Sequence, residues 1–163
     1  MTSVIAKVDK GLEYVEKTIM VVAGIPLLFL LVFVVFARYF FHLSTPYEGE
    51  LAKLLHIWMV FAGASWLVGR EGHPGVEIFK SKIKKSSNII GKRIYLTCMY
   101  VIMLLFIYPA LIYGVKLMPL YIKQKTIYLG ISYAFVYGGG ILGMFFMTIR
   151  CFLQIAKIWK GEE

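Results

Sequence analysis

Charge is scarce in this 163-residue chain: 17% of residues are Asp, Glu, Lys or Arg, against about 25% in an ordinary soluble domain. Two cysteines and three histidines offer no disulfide framework and no metal cluster. No P-loop, dinucleotide fingerprint or hydrolase elbow occurs, so nothing supports catalysis. Acids are scarcer than bases, 9 against 18, which leaves a net charge of +9.

What is abundant is apolar surface, with 60% hydrophobic residues and a mean hydropathy of +0.75. It is concentrated in charge-free runs of 20, 16, 22 and 24 residues, bounded by Lys17 and Arg38, Lys53 and Arg70, Arg93 and Lys116, and Lys125 and Arg150. A hydrocarbon core of ~30 Å needs about 20 apolar residues at ~1.5 Å rise, so each run predicts a transmembrane helix. Open strands or coil would strand backbone polar groups in lipid, so the spans must be helical. The expected fold is an all-α integral membrane protein with four transmembrane helices in a small bundle. The whole chain, 1–163, forms one membrane domain, with spans at 18–41, 51–69, 94–115 and 126–150. The first run exceeds the usual h-region of about 7–15 residues, which predicts a retained span and not a cleaved signal peptide.

Two amphipathic pieces flank the spans. In 1–17, Ile5, Val8, Leu12 and Val15 recur at helical spacing among three bases and three acids, which predicts an interfacial helix held by apolar burial. In 74–86, after the breakers Gly72, Pro74 and Gly75, Val76, Phe79 and Ile83 alternate with Lys80, Lys82, Lys84 and Lys85, which predicts a second, basic interfacial helix.

Orientation follows from the bases. Thirteen of the 18 lie in the N-terminal segment, the second-to-third connection and the C-terminus, so the positive-inside rule places both termini in the cytoplasm. The surplus charge then reads as lipid headgroup contact and not nucleic-acid binding. Cys98 and Cys151 sit toward that reducing side and read as small apolar residues. Tyr39, Tyr47, Tyr121 and Tyr128 on one rim and Trp66, Tyr95 and Trp159 on the other predict aromatic anchors. Pro26 and Pro109 predict kinks in the first and third helices.

Small residues predict close packing. Gly130, Ala134 and Gly138 recur four apart in the fourth span, Gly139 and Gly143 form G-x-x-x-G, and Ala62, Gly63, Ala64, Ser65 and Gly69 make a patch in the second. Such spacing brings helices near enough for van der Waals contact, with a partner inside or outside the chain. Besides Cys98 and the tyrosines, His56 is the only ionisable group inside the runs. It reads as a helix–helix hydrogen bonder and not as a ligand.

The polar residues around the first two spans form an ordered set: Arg38-Tyr39-Phe40-Phe41, Glu48, Glu50, Trp58, Phe61, Gly63, Ala64, Arg70 and His73. In that set the chain resembles the small permease subunit of tripartite ATP-independent periplasmic (TRAP) transporters, the DctQ family. It departs from the family pattern at Tyr47, where Trp is common, at Gly49, which replaces one acid of a pair, and at Pro74, Gly75 and Glu77. The resemblance implies a noncatalytic subunit of the bacterial inner membrane. That subunit would brace a large elevator-type permease in sodium-coupled uptake of organic acids delivered by a periplasmic binding protein. Its partners would be the large permease, the binding protein and membrane lipid. No cofactor is expected, sodium being bound by the large subunit, while a structural phospholipid stays open.

Structural or partner-interface roles are expected for Arg38, Glu48, Glu50, Trp58, Gly63, Arg70, His73, Gly130, Ala134, Gly138, Gly139 and Gly143. Arg38 is expected to hydrogen-bond Glu48 or Glu50. Tyr47, Tyr121, Lys123 and Lys125 are expected to meet the binding protein. The competing readings are a membrane anchor or b-type cytochrome subunit of a respiratory complex, which needs paired imidazoles, and an orphan lipid-binding assembly protein. A small multidrug exporter is disfavoured, since its first span carries an acid and this one does not.

Overall fold

A computed structural model describes residues 2–43, 45–70 and 89–160. They form four long helices: α1, Thr2–Phe40; α2, Glu48–Gly69; α3, Ile89–Lys123; and α4, Tyr133–Lys160. All four are long and apolar enough to cross a membrane. The basic interfacial helix expected at 74–86 and His73 lie outside the described residues. The N-terminal segment is continuous with the first span, and α1 runs on through Pro26 just as α3 runs on through Pro109 and Pro119.

The helix boundaries follow local chemistry. At the end of α1, His42 takes a left-handed backbone with φ 50, and the Leu43 N–H reaches back 3.0 Å to the Ala37 carbonyl. This satisfies one of the carbonyls that a helix end leaves unpaired. The start of α2 carries Glu48 and Glu50, whose negative charge suits a helix N-terminus. At α4 the Ser132 hydroxyl accepts the Ala134 N–H at 3.2 Å, the usual work of an N-cap serine.

Between α3 and α4 lies a compact turn. Lys125 and Ser132 form an antiparallel bridge, and the Thr126 N–H donates to the Ile131 carbonyl at 2.8 Å. Gly130 closes the turn with φ +66, a conformation that costs glycine little. This corrects two expectations. The fourth helix begins at Tyr133 and not at 126, so Gly130 is a turn residue and takes no part in a helical seam with Ala134 and Gly138. The third helix extends to Lys123, so Pro119, Tyr121 and Lys123 belong to its last turns and not to a loop.

The helices also do not close into the expected bundle. Across the protein they lie in the order α1, α2, α4, α3, each packed on its neighbour; α1 touches α4 slightly, and among the described residues α3 packs its backbone on α4 alone. The result is an open row. Among the described residues Val68, Leu96, Tyr100, Met147, Cys151 and Ile158 form a cluster of buried apolar side chains, joining α2, α3 and α4. Elsewhere large apolar residues face outward, among them Val22, Leu28 and Phe29 of α1 and Leu105 and Phe106 of α3. In lipid such exposure carries no hydrophobic penalty, so close packing decides where helices meet.

That packing is set by α4, the most buried helix. A Cβ on Gly139 would lie 2.6 Å from the Trp58 ring, and one on Gly143 would lie 2.9 Å from the Phe61 carbonyl oxygen. Their absence lets α2 sit against α4, so the G-x-x-x-G pair has its partner inside the chain. Gly138 faces α3 with more room, 3.8 Å from Met118 Cε, and Gly63 faces Met20 of α1 at 3.6 Å.

Backbone cannot yield to a methyl group as a flexible side chain can. Gly143→Ala should therefore destabilise the protein by about 1–3 kcal/mol, despite Ala's helix-propensity advantage of up to about 1 kcal/mol. Gly138→Ala should be tolerated. Thermal loss of helicity in detergent, measured on both variants, checks the contrast.

Candidate functional site

Two polar assemblies stand out at opposite ends of the helices, with one groove between them. The first assembly lies where the N-terminal part of α1 meets the C-terminal ends of α2 and α4. Here Glu16 is fully buried and Arg150 is 2% exposed. Arg150 Nε and Nη2 donate to the two Glu16 carboxylate oxygens at 3.2 and 2.5 Å, the bidentate fork that suits guanidinium to carboxylate. Arg150 Nη1 donates to Asp9, whose other oxygen accepts Lys157 Nζ at 2.7 Å. The Ser65 hydroxyl of α2 adds a bond to Glu16 at 2.6 Å. Gln154 Nε2 donates to the Gly69 carbonyl at 2.5 Å, pairing a carbonyl at the end of α2. Gly69 itself makes room, since a Cβ there would come within 2.6 Å of Arg150 Cδ.

Around this clamp lies an exposed fringe. Glu13 accepts from Arg70 at 2.5 Å and pairs with Lys17 at 2.8 Å. Both cations also lie over the Trp66 ring, at 4.9 Å for Arg70 and 5.8 Å for Lys17, within cation–π range. The N-terminal segment thus turns its acids inward, while its expected apolar stripe faces out at Val8 and Val15.

The second assembly is at the opposite end. Arg38 Nη2 donates to Glu48 at 2.6 Å, and the Thr45 hydroxyl donates to the other Glu48 oxygen at 2.5 Å. This ties α1 to the start of α2. Glu50, the other expected partner of Arg38, does something else. It accepts backbone N–H bonds from Ile127 at 2.8 Å, Tyr128 at 3.1 Å and Leu129 at 2.9 Å. One carboxylate of α2 therefore holds the turn between α3 and α4. Trp58 makes a further link, its indole N–H donating to the Phe135 carbonyl at 3.1 Å.

Between these ends, α1 and α4 diverge over α2. They leave an apolar groove of about 350 Å³, walled by Thr18, Ile19 and Val22 of α1 and Phe135 of α4 and floored by Leu54 and Trp58. Among the described residues no group of three His, Cys, Asp or Glu side chains converges. Cys151 is buried and Cys98 exposed, both as free thiols.

The structure brings together some of the residues singled out in the sequence. Arg38 meets Glu48, Trp58 meets Gly139, and Arg70 joins the fringe of the clamp. Glu50 and Gly63 face other parts of this chain, and Ala134 is half-buried near the start of α4. Tyr47 is 39% exposed beside Glu48, and Lys123 and Lys125 are exposed. Tyr121 packs on Tyr137 with ring centroids 4.9 Å apart.

Sequence reasoning missed the clamp itself, formed by Asp9, Glu16, Arg150, Gln154 and Lys157, and read Ser65 only as a small packing residue. A signal was present. Asp9, Glu13 and Glu16 recur at i, i+4 and i+7, and Arg150 and Gln154 continue the same helical face as Gly143 and Met147. Read together, a polar stripe on α4 demanded a polar stripe elsewhere.

Residues 27–161 match the family model for the DctQ component of tripartite ATP-independent periplasmic transporters. The match agrees with the resemblance carried by Arg38 through Arg70. No curated protein matches the chain.

Removing one partner of a buried ion pair strands the other. Arg150→Met should lower stability by about 3–5 kcal/mol, and adding Glu16→Leu should recover part of that loss; detergent unfolding of the single and double variants is the check. Glu50→Ala leaves three N–H groups of the turn without their acceptor. Hydrogen exchange should then speed up at Ile127, Tyr128 and Leu129 while the interior of α2 keeps its protection.

Proposed function

The chain belongs to the DctQ family of tripartite ATP-independent periplasmic transporter components, a non-enzymatic family, and on that footing we propose that it braces a large, elevator-type permease. The tripartite system to which the family belongs supplies the partners, a large permease and a periplasmic binding protein. In this reading the transported solute is an organic acid, sodium drives uptake through the large subunit, and this subunit carries neither.

The observation that supports a bracing role is where the charges of the helices go. Glu16 and Arg150 answer each other across α1 and α4, and Glu50 is occupied by the far turn. These groups stiffen the subunit and, being paired within it, are not available to replace a solute's hydration shell, which a midplane binding site requires. The open row suits the same task, since it leaves helix faces uncovered where a closed bundle has few to spare. An elevator moves against a frame, and four helices fixed in lipid widen that frame.

Orientation follows from the basic residues. Both termini and the clamp lie on the cytoplasmic side of the bacterial inner membrane, where positive loops are retained. The opposite end, with Tyr47, Tyr121, Lys123 and Lys125, then faces the periplasm and meets the binding protein. Membrane phospholipid surrounds the apolar faces.

Reconstitution tests the proposal. Proteoliposomes holding the large permease, supplied with loaded binding protein and a sodium gradient, should accumulate solute only when this chain is included. This chain alone should accumulate none. Uptake that is equally fast without it, or uptake by it alone, would sink the bracing role.

A further inference from the structure

The outward face of α2 differs from the other outward faces of the row. Lys53, His56 and Val60 are exposed and fall at i, i+3 and i+7, on the side of α2 turned away from both α1 and α4. The residues that meet α1 and α4, such as Gly63, Ala62, Ser65 and Val68, lie on the rest of its circumference. By contrast, α1 presents Val21, Val22, Ile25, Leu28 and Phe29 outward, and α3 presents Val101, Ile102, Leu105 and Phe106 with the neutral phenols Tyr108 and Tyr113.

Depth makes His56 informative. The 22 residues of α2 span roughly 33 Å at ~1.5 Å per residue, close to a bilayer's hydrocarbon thickness of ~30 Å. His56 lies eight residues beyond Glu48, about 12 Å below that end on the same rise. The long Lys53 side chain reaches the rim from its position. An imidazole has no such reach. Among the described residues no hydrogen bond to His56 forms, so the chain by itself would hold an unpaired donor and acceptor against hydrocarbon, an arrangement that lipid disfavours.

The neighbouring surface is concave. Ile57, next to His56, lines a second groove of about 320 Å³ between α2 and α3, floored by Gly140 and Ile141 of α4 and bounded by Gly114 and Leu117 of α3. Gly114 and Gly140 there let Ile141 and Phe61 of this chain pack closely, and the groove lies beside that contact. The polar stripe and the groove thus form one continuous surface on one side of the row, with a hydrogen-bonding group at a depth that lipid cannot satisfy.

Resting on the bracing role proposed above, we infer that this α2 face is where the large permease docks, through a membrane-spanning helix that offers His56 a hydrogen-bonding oxygen. The recognising chemistry is a carboxylate, amide, hydroxyl or freed carbonyl oxygen about one third of the way into the bilayer. Apolar side chains from the same helix fill the groove beside Ile57.

The test uses the intact complex. A photo-crosslinking residue at Val60 should yield an adduct with the large permease, whereas one at Phe29 of α1 should yield lipid adducts. His56→Leu, on an exposed position, should leave helicity unchanged and weaken retention of the permease by roughly three- to fifteen-fold, the range expected for one hydrogen bond between membrane helices. His56→Gln should restore most of it. Lipid or a second copy of this chain captured at Val60 while the permease still copurifies would overturn the inference and leave the bracing role standing. Unchanged retention in His56→Leu would overturn the hydrogen bond. A permease that never copurifies with the unaltered chain would sink both readings.

Discussion

The fork between Arg150 and Glu16 holds the architecture together where the N-terminal part of α1 meets the C-terminal part of α4. An arginine inside an apolar helix is costly unless its charge is answered. Here the answer comes from Glu16 and Asp9, more than 130 residues earlier in the chain. Neither side is optional, because either charge left alone at that burial is worse than neither being present. Ser65 and Gln154 take up remaining hydrogen-bonding capacity of the carboxylate and of the α2 end, so three helices are registered by one polar cluster. Beyond the cluster α1 and α4 separate, and the apolar groove over Leu54 and Trp58 is what that separation leaves.

Away from the clamp, shape replaces charge. Lipid tails solvate leucine as well as another helix does, so a helix pair in the membrane is stabilised by contact density and interhelical hydrogen bonds. Gly139 and Gly143 supply the contact by letting the Trp58 and Phe61 side chains press against α4. Trp58 and Glu50 supply hydrogen bonds to backbone groups at the far end. These contacts all run between neighbours in the row. A row has two ends, and neither α1 nor α3 is driven to close it, since their outer faces are already compatible with lipid. Openness is thus a consequence of the solvent and leaves helix faces able to meet something larger.

Membrane helices, their number and the family were legible in the sequence because they depend on local quantities: the length of a charge-free run, and an ordered set such as Arg38, Trp58, Gly63 and Arg70. Close packing through Gly139 and Gly143 was legible for the same reason, as a spacing within one helix. The clamp was not. Asp9 and Glu16 look like the wet face of an amphipathic piece when that piece is read alone, and Arg150 looks like a rim residue. Only the antiparallel run of α1 beside α4 turns a wet face into a buried one. Glu50 is similar: the sequence offers it Arg38 as a partner across the first connection, but the geometry gives Arg38 to Glu48 and sends Glu50 to a turn some 77 residues away.

What the amino-acid order determined by itself is therefore the set of rods, since a helix in hydrocarbon needs nothing beyond its own hydrogen bonds and about 20 apolar residues. What the tertiary structure alone decided is their order across the protein, α1, α2, α4, α3, and which charges cancel. Those depend on side chains far apart in the chain meeting at one depth, and no window along a sequence contains both partners.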